Sequence, residues 1–235
     1  MNLTPENPNL RLISAAVRVL APLLDRMVLV GGCATGLLIT DPAAAPVRAT
    51  LDVDVIVEIE SYAEFTRLED SLRHLGFRQS HRAGTPICRW FREELILDVM
   101  PTDTSVLGFS TRWYHRAFEN ASQVRIGDHD ARLITAPYFL ATKLEAFHGR
   151  GHGDYRMSRD LEDIVTVVDG RAETVEETNV APDDLRKFLS DEFRALLSNP
   201  VFLDALPGHL LPDAASQQRA GLIVERIKRL IVESL

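Results

Sequence analysis

Three aspartates interrupt apolar segments of this sequence at spacings that could bind metal ions. Asp52 and Asp54 alternate with apolar residues in TLDVDVIVE, and Asp98 is flanked by apolar residues in LILDVMPT. Because alternate side chains of a β-strand share a face, Asp52 and Asp54 would point the same way, with Cα atoms roughly 6–7 Å apart. Carboxylates this close repel each other unless positive charge compensates them, and a divalent cation with oxygen ligands would supply that charge.

A solvent-exposed sheet face explains Asp52 and Asp54 equally well, because polar residues commonly alternate along one side of an antiparallel sheet. Asp98 favours the metal interpretation, since solvation explains a lone carboxylate within an apolar strand poorly. If the two strands are neighbours, the three aspartates converge. They would then form the ligand set for two Mg²⁺ ions, or Mn²⁺ in their place, that bind the phosphates of a nucleotide.

A phosphate-binding turn is predicted upstream of these strands. In LVGGCATG, an apolar strand ends at Gly31 and Gly32, and a helix begins after them. Glycines let the backbone approach a phosphate, and the N–H groups at a helix N-terminus attract anions. A tight turn alone would also account for the glycine pair.

The elements that must position these residues change character along the chain. Apolar runs and turn residues predict helices over 10–25 and 61–77, and strands over 27–32, 51–59, 87–91, 94–102 and around a hairpin in 125–135. The remaining segments have helical spacing, beginning with 135–150 and a helix that Ser158 caps and Gly170 ends. We therefore predict a mixed α+β domain over residues 1–134, followed by a helical domain over 135–235.

Composition excludes several classes of protein. The chain has 235 residues and a formal net charge of -8, so it lacks the overall basic footprint of a nucleic-acid-binding protein, although a local basic groove is compatible with it. Two cysteines, Cys33 and Cys88, are too few for a disulfide scaffold and are predicted to be buried thiols. The N-terminus does not have the organisation of a signal peptide, and no apolar run approaches the roughly 20 residues of a membrane helix. These features predict a cytoplasmic protein without a membrane partner.

The order of these motifs resembles that of the DNA polymerase β-like nucleotidyltransferases: a strand ending in two glycines, a helix, an Asp-x-Asp strand and a later strand with a third aspartate. The closer similarity is to the AbiEii/MenT group of nucleotidyltransferase toxins, whose Arg-x-Thr-x-Asp-x-Asp pattern is matched by Arg48, Thr50, Asp52 and Asp54. In the helical half, KLEAFHGRGHGDYRMSRDLEDI resembles the group's lysine-bearing helix and Arg-Asp-x-x-Asp motif, with Lys143, Arg150, Arg159, Asp160 and Asp163. The similarity covers roughly residues 27–170.

The resemblance implies a nucleotidyltransferase-type fold, with a small twisted mixed sheet and flanking helices before a C-terminal helical domain. It also assigns roles to the site residues. Asp52, Asp54 and Asp98 would be catalytic metal ligands, with Lys143 and Asp160 as further catalytic residues. Asp160 would hold the helical motif or act near the acceptor hydroxyl. The nucleotide would be bound by Gly31, Gly32, Thr35, Arg48, Thr50 and Lys143. Gly32 departs from the pattern, because many relatives have a phosphate-binding serine there; Thr35 would take its place.

The implied reaction is transfer of a nucleoside monophosphate from an NTP to a hydroxyl, with release of pyrophosphate. For a toxin, the acceptor would be RNA, at a tRNA 3′ end, and an antitoxin protein would be a partner. A small molecule resembling an aminoglycoside is the first alternative, which the acidic composition mildly favours, and a protein hydroxyl is another. A binding module that keeps the fold but has no activity is the alternative from a different class, and the presence of all three aspartates argues against it.

Overall fold

The computed structural model describes residues 7–59, 61–80, 82–108, 111–150 and 153–231, and these form two compact units. The first comprises residues up to 37 together with 48–135, and the second comprises 38–47 together with 136 onward. The molecule is therefore mixed α+β, as predicted. The predicted boundary lies after residue 134 and assigns 38–47 to the first domain, whereas the structure groups this segment with the helical residues.

A seven-stranded mixed sheet is the centre of the first unit, in the order β3-β4-β5-β2-β1-β7-β6. Strands β2 and β5 pair in parallel, as do β1 and β7, and the remaining neighbours are antiparallel. The strands are β1 (Met27–Val30), β2 (Asp52–Val57), β3 (Arg78–Gln79), β4 (Arg89–Arg92), β5 (Leu95–Pro101), β6 (Ser122–Ile126) and β7 (His129–Leu133).

Five helices accompany the sheet in the described part of this unit: α1 (Leu10–Leu20), α2 (Gly31–Leu38), α3 (Tyr62–His74), α4 (Thr104–Leu107) and α5 (Tyr114–Glu119). Helix α3 begins where predicted, since the Ser61 side chain accepts a hydrogen bond from the Glu64 backbone N–H. The single helix predicted over 10–25 is instead α1 followed by a 3-10 helix over Ala21–Arg26. Pro22 fits this change, because proline lacks the N–H that an α-helix interior requires.

The second unit is built from helices: α6 (Ala136–Arg150), α7 (Arg159–Gly170), α8 (Thr174–Asn179), α9 (Asp183–Leu197), α10 (Pro200–Ala205) and α11 (Ala214–Leu230). Ser158 caps α7 by accepting a hydrogen bond from the Leu161 N–H, as predicted. Residues 151 and 152, in the loop of the predicted motif, lie outside the described residues. No helix among the described residues is long and apolar enough to span a membrane.

Residues 38–47 belong to this unit and form hydrogen bonds with α7 and α11. The Thr40 and Asp41 N–H groups both donate to the Gly170 carbonyl, each at 2.9 Å. The Arg219 guanidinium on α11 binds the Asp41 carboxylate at 2.8 Å and the Asp169 carboxylate at 2.7 Å. Residues 38–47 thus share a polar network with α7 and α11.

Acid should weaken this network. The hydrogen bond from Arg219 holds the pKa of the Asp41 carboxyl below its ordinary value, so the carboxylate stabilises the fold above about pH 4 and that contribution is lost as pH falls through the folded-state pKa. Asp41→Asn should therefore lose less unfolding free energy than wild type between pH 7 and pH 3. Denaturant titrations at both pH values measure this, with Asp204→Asn, an exposed carboxylate of α10, as control. Equal losses in wild type and Asp41→Asn would contradict the expectation.

Candidate active site

The three predicted aspartates lie on one face of the sheet. Parallel pairing of β2 with β5 places Asp54 opposite Asp98 and Asp52 opposite Ile96, so their side chains project from the same side. Val53 and Val55 project from the other side and are buried. Asp52 and Asp54 are half-buried and Asp98 is buried. The apolar and acidic residues that alternate in the sequence thus lie on opposite faces of the sheet. The valines face the core, and the other face carries the carboxylates.

Arg89 joins two of these carboxylates. It lies on β4 opposite Asp98, and its Nε and Nη2 donate to the two Asp98 oxygens at 2.8 and 2.6 Å. Nη2 also donates to Asp52 Oδ2 at 2.7 Å. These bonds, the one to Asp98 above all, raise the pKa of the guanidinium, so Arg89 stays positively charged. The cation between the carboxylates in this structure is therefore a side chain of the protein.

Arg89 is not among the site residues predicted from the sequence, although the register of the hairpin indicates its position opposite Asp98. A two-residue turn at Glu93 and Glu94 pairs Arg92 with Leu95. Counting back three residues on one strand and forward three on the other places Arg89 opposite Asp98. The sequence signal for Arg89 is therefore a basic residue that the register of the hairpin places opposite an acidic one.

The donor set fits Mg²⁺ by its chemistry, because aspartate oxygens are the hard ligands that this ion prefers. Its present arrangement is different: no group of three or more His, Cys, Asp or Glu side chains among the described residues is arranged to hold a metal ion. The hydrogen bonds of Arg89 to Asp52 and Asp98 are consistent with that. Metal binding by the three aspartates therefore stays a prediction, and it would require Arg89 to give up at least part of these contacts.

The turn after β1 fits closely against Asp54. Gly31 has φ +66°, in the left-handed region that favours glycine, and an added Cβ would lie 2.1 Å from Asp54 Oδ2 and 2.7 Å from Asp54 Cβ. Helix α2 starts at this residue, so its first backbone groups lie beside the carboxylate cluster. A Cβ on Gly32 would instead meet the end of the Arg48 side chain, with Nη2 at 2.7 Å. Both glycines permit close packing beside predicted site residues.

Gly31→Ala should be more damaging than Gly32→Ala. The first substitution strains the backbone, at about 1–3 kcal/mol, and collides with the Cβ of Asp54, which cannot move without shifting β2. The second substitution requires only that the flexible end of the Arg48 side chain moves. Denaturant unfolding of both variants measures the difference in the free energy of unfolding. Equal losses would mean that the positive φ and the contact with Asp54 do not limit the residue at position 31.

A buried asparagine positions the segment that leads into β2. The Asn9 side chain donates to the Arg48 carbonyl at 3.0 Å and accepts from the Thr50 N–H at 2.9 Å. Thr50 in turn donates through Oγ1 to Asp52 Oδ1 at 2.9 Å. Arg48 and Thr50, predicted to bind nucleotide, are thus held beside the aspartates by a residue that the sequence analysis did not identify.

Thr35, which the resemblance assigns to nucleotide binding, has a buried side chain. Its side chain is 1% exposed, and its hydroxyl has no hydrogen-bond partner in the described part of the chain. The residue lies one turn into α2, where its side chain is packed inside the first unit and not at the start of the helix. The structure therefore gives no support to a contact between Thr35 and a phosphate.

The Cys88 thiol beside Arg89 is held in its neutral form at neutral pH. Cys88 precedes Arg89 and is buried, and burial together with the Asp98 charge raises the pKa of its thiol to about 12. Cys33 is also buried and is not in a disulfide. Both cysteines are buried thiols, as their number predicted.

The second unit contains a separate charged cluster inside its helices. The Lys143 ammonium on α6 lies 3.1 Å from Asp160 Oδ1 and 2.6 Å from Asp163 Oδ2, both on α7. The side chains of all three residues are at most 7% exposed. The three-residue spacing of the aspartates places both on the helix face that meets Lys143. The lysine expected to contact phosphate is here the partner of two buried carboxylates.

No family model matches the chain, and no curated protein does. A solved structure of an antigenic nucleotidyltransferase-like protein from Paracoccidioides brasiliensis is 19% identical, covers 86% of this chain and 93% of its own, and has a TM-score of 0.49. A structure from H. pylori, of a protein proposed to be a nucleotidyltransferase, is 16% identical, covers 96% of this chain and 97% of its own, and has a TM-score of 0.45.

Proposed function

We propose that this chain is a Mg²⁺-dependent nucleotidyltransferase that transfers a nucleoside monophosphate from an NTP to an acceptor hydroxyl. The observation that carries the proposal is the register of β2 and β5, which places Asp54 opposite Asp98 on the face that also bears Asp52. Gly31 adjoins Asp54 at the start of α2, where backbone N–H groups favour an anion. Carboxylates next to an anion-binding turn form a site for a metal-bound triphosphate.

The proposed chemistry is an in-line displacement at the α-phosphorus. The acceptor oxygen forms a bond to the α-phosphorus, the bond from that phosphorus to the bridging oxygen of the pyrophosphate breaks, and the hydroxyl proton passes to the Asp98 carboxylate. Mg²⁺ held by Asp52, Asp54 and Asp98 would offset the charge of the triphosphate and of the attacking oxygen. The turn at Gly31 and Gly32 would position the phosphates, so the barrier falls mainly through orientation and charge stabilisation.

Lys143 and Asp160 belong to the proposal through the sequence resemblance alone. In the structure the lysine binds Asp160 and Asp163, so contact with a phosphate would require it to exchange a carboxylate oxygen for a phosphate oxygen. The resemblance also motivates RNA as the acceptor, at a tRNA 3′ end, together with a toxin role and an antitoxin partner.

The experiment is label transfer from each α-labelled NTP, with Mg²⁺, to total tRNA. Label on tRNA supports both the activity and the acceptor. Binding of an RNA acceptor should also weaken steeply with salt, whereas a small acceptor should show little salt dependence. Stabilisation against heat by NTP and Mg²⁺ without label on RNA would redirect the search to a small-molecule or protein hydroxyl. If neither label transfer nor stabilisation is observed, the proposal is overturned and a non-catalytic module remains.

A further inference from the structure

The position of Arg89 is fixed by the sheet and by the carboxylates it binds. Antiparallel pairing of β4 with β5 places it opposite Asp98, between neighbours Cys88 and Trp90 that are buried. Its three hydrogen bonds, at 2.6 to 2.8 Å, have the short lengths of charge-assisted bonds. The guanidinium binds both oxygens of Asp98 and one oxygen of Asp52, whose carboxylates belong to two different strands.

We propose that Arg89 is an internal cation that competes with the metal ion for Asp52 and Asp98, so that a metal ion binds there only by displacing part of its hydrogen bonds. This inference concerns the same site as the proposed function and rests on it. Arg89 is a positioning residue here, since it acts through the carboxylates and not on the reacting atoms.

Competition follows from charge and from geometry. A divalent cation among these carboxylates would lie within a few ångströms of the guanidinium, and like charges at that distance repel strongly in a partly buried site. The bidentate contact also takes the facing lone pairs of both Asp98 oxygens, so a metal ion would have to bind from another side or rotate the carboxylate. Without Arg89, the carboxylates lose a compensating charge and attract a cation more strongly.

Metal binding by the full-length chain without nucleotide tests the proposal. Free Mn²⁺ measured by electron paramagnetic resonance gives the Kd for wild type, Arg89→Gln, Arg89→Lys and the control Arg78→Gln. Arg78 suits the comparison because it lies on edge strand β3, on the same sheet face as Arg89. It is opposite Phe91 of β4 and is exposed.

Arg89→Gln should bind Mn²⁺ about tenfold tighter than wild type or more, because one positive charge is removed. Arg89→Lys should stay near wild type because the charge is kept, and Arg78→Gln should not change.

A second measurement does not depend on the glutamine variant folding. The Arg89 Nε–H resonance of ¹⁵N-labelled wild type, assigned by its loss in Arg89→Lys, should shift on addition of Mg²⁺ as its bond to Asp98 is disturbed. An Arg89 resonance that stays unchanged while Mg²⁺ binds would overturn the competition. So would a Kd for Arg89→Gln equal to or weaker than that of wild type.

These outcomes separate the two proposals. Tighter Mn²⁺ binding by Arg89→Gln in a protein that neither transfers label nor is stabilised by NTP and Mg²⁺ would support the competition and overturn the nucleotidyltransferase function. Label transfer by wild type, together with an unchanged Kd for Mn²⁺ in Arg89→Gln, would support the nucleotidyltransferase function and overturn the competition. No Mn²⁺ binding by any folded variant would overturn the competition, and label transfer would then decide the function by itself.

Discussion

Asp54→Asn should lower nucleotide transfer by about 10³-fold or more while leaving the fold intact. Asparagine keeps the size of the side chain beside Gly31, where no further atom fits. It removes the negative charge at the centre of the group, between Asp52 on the same strand and Asp98 on the paired strand. Initial rates of label transfer from the NTP that wild type prefers measure the effect, and circular dichroism checks folding.

Glu58→Gln is the matched control for this substitution. Glu58 follows the end of β2 on the same strand path and is an exposed carboxylate. Its replacement should change the rate less than about twofold, since it is removed from the carboxylate cluster and solvent screens its charge. A rate for Asp54→Asn within tenfold of wild type would show that the β2 carboxylates do not carry the reaction. Equal losses in both variants would point to a general electrostatic effect.

The strands and their faces were predictable because a strand has a simple period. Val53, Asp54 and Val55 alternate, and this alternation locates both the strand and the side that carries the acids. The Gly-Gly turn and the capped helix starts at Ser61 and Ser158 also follow local chemistry that is readable from a few residues. Predictions of this kind need no knowledge of how distant segments meet.

The missing parts depend on contacts between distant segments. Asn9 fixes the backbone of Arg48 and Thr50 from about 40 positions away, and nothing in its neighbourhood indicates that role. The attachment of residues 38–47 to α7 and α11 likewise depends on Arg219, far along the chain. Composition marks such a segment as a loop, but only the folded chain shows what the loop binds.

Lys143 shows that a motif does not specify the whole environment of a side chain. Its helix was predicted, and the resemblance implied that the lysine contacts a phosphate. Lysines are seldom fully buried. The structure pairs it with both aspartates inside the helical unit. Since all three charged groups belong to one cluster, each is expected to affect stability as well as any activity.

Lys143→Met should destabilise the protein by about 3–5 kcal/mol, the usual cost of removing one partner from a buried ion pair. Methionine approximates the aliphatic part of the side chain, so the main change is loss of the ammonium. Asp160 and Asp163 then remain buried without the ammonium charge that they share. Denaturant unfolding measures the loss, with Lys187→Met as control. Lys187 pairs with Asp191 on α9 at 2.8 Å, but its side chain is 77% exposed, so the control should lose less than about 1 kcal/mol.

The double variant Lys143→Met/Asp163→Asn identifies the cause of that loss. Asp163 is the more buried carboxylate and the closer one to the ammonium. If uncompensated charge is the cause, neutralising Asp163 in the methionine background should restore part of the unfolding free energy, although Asp163→Asn alone is destabilising. If the loss came from packing, the second substitution would add its own cost and restore nothing. A loss below about 1 kcal/mol in Lys143→Met would show that the two aspartates find other compensation, and the cluster would then not be a determinant of stability.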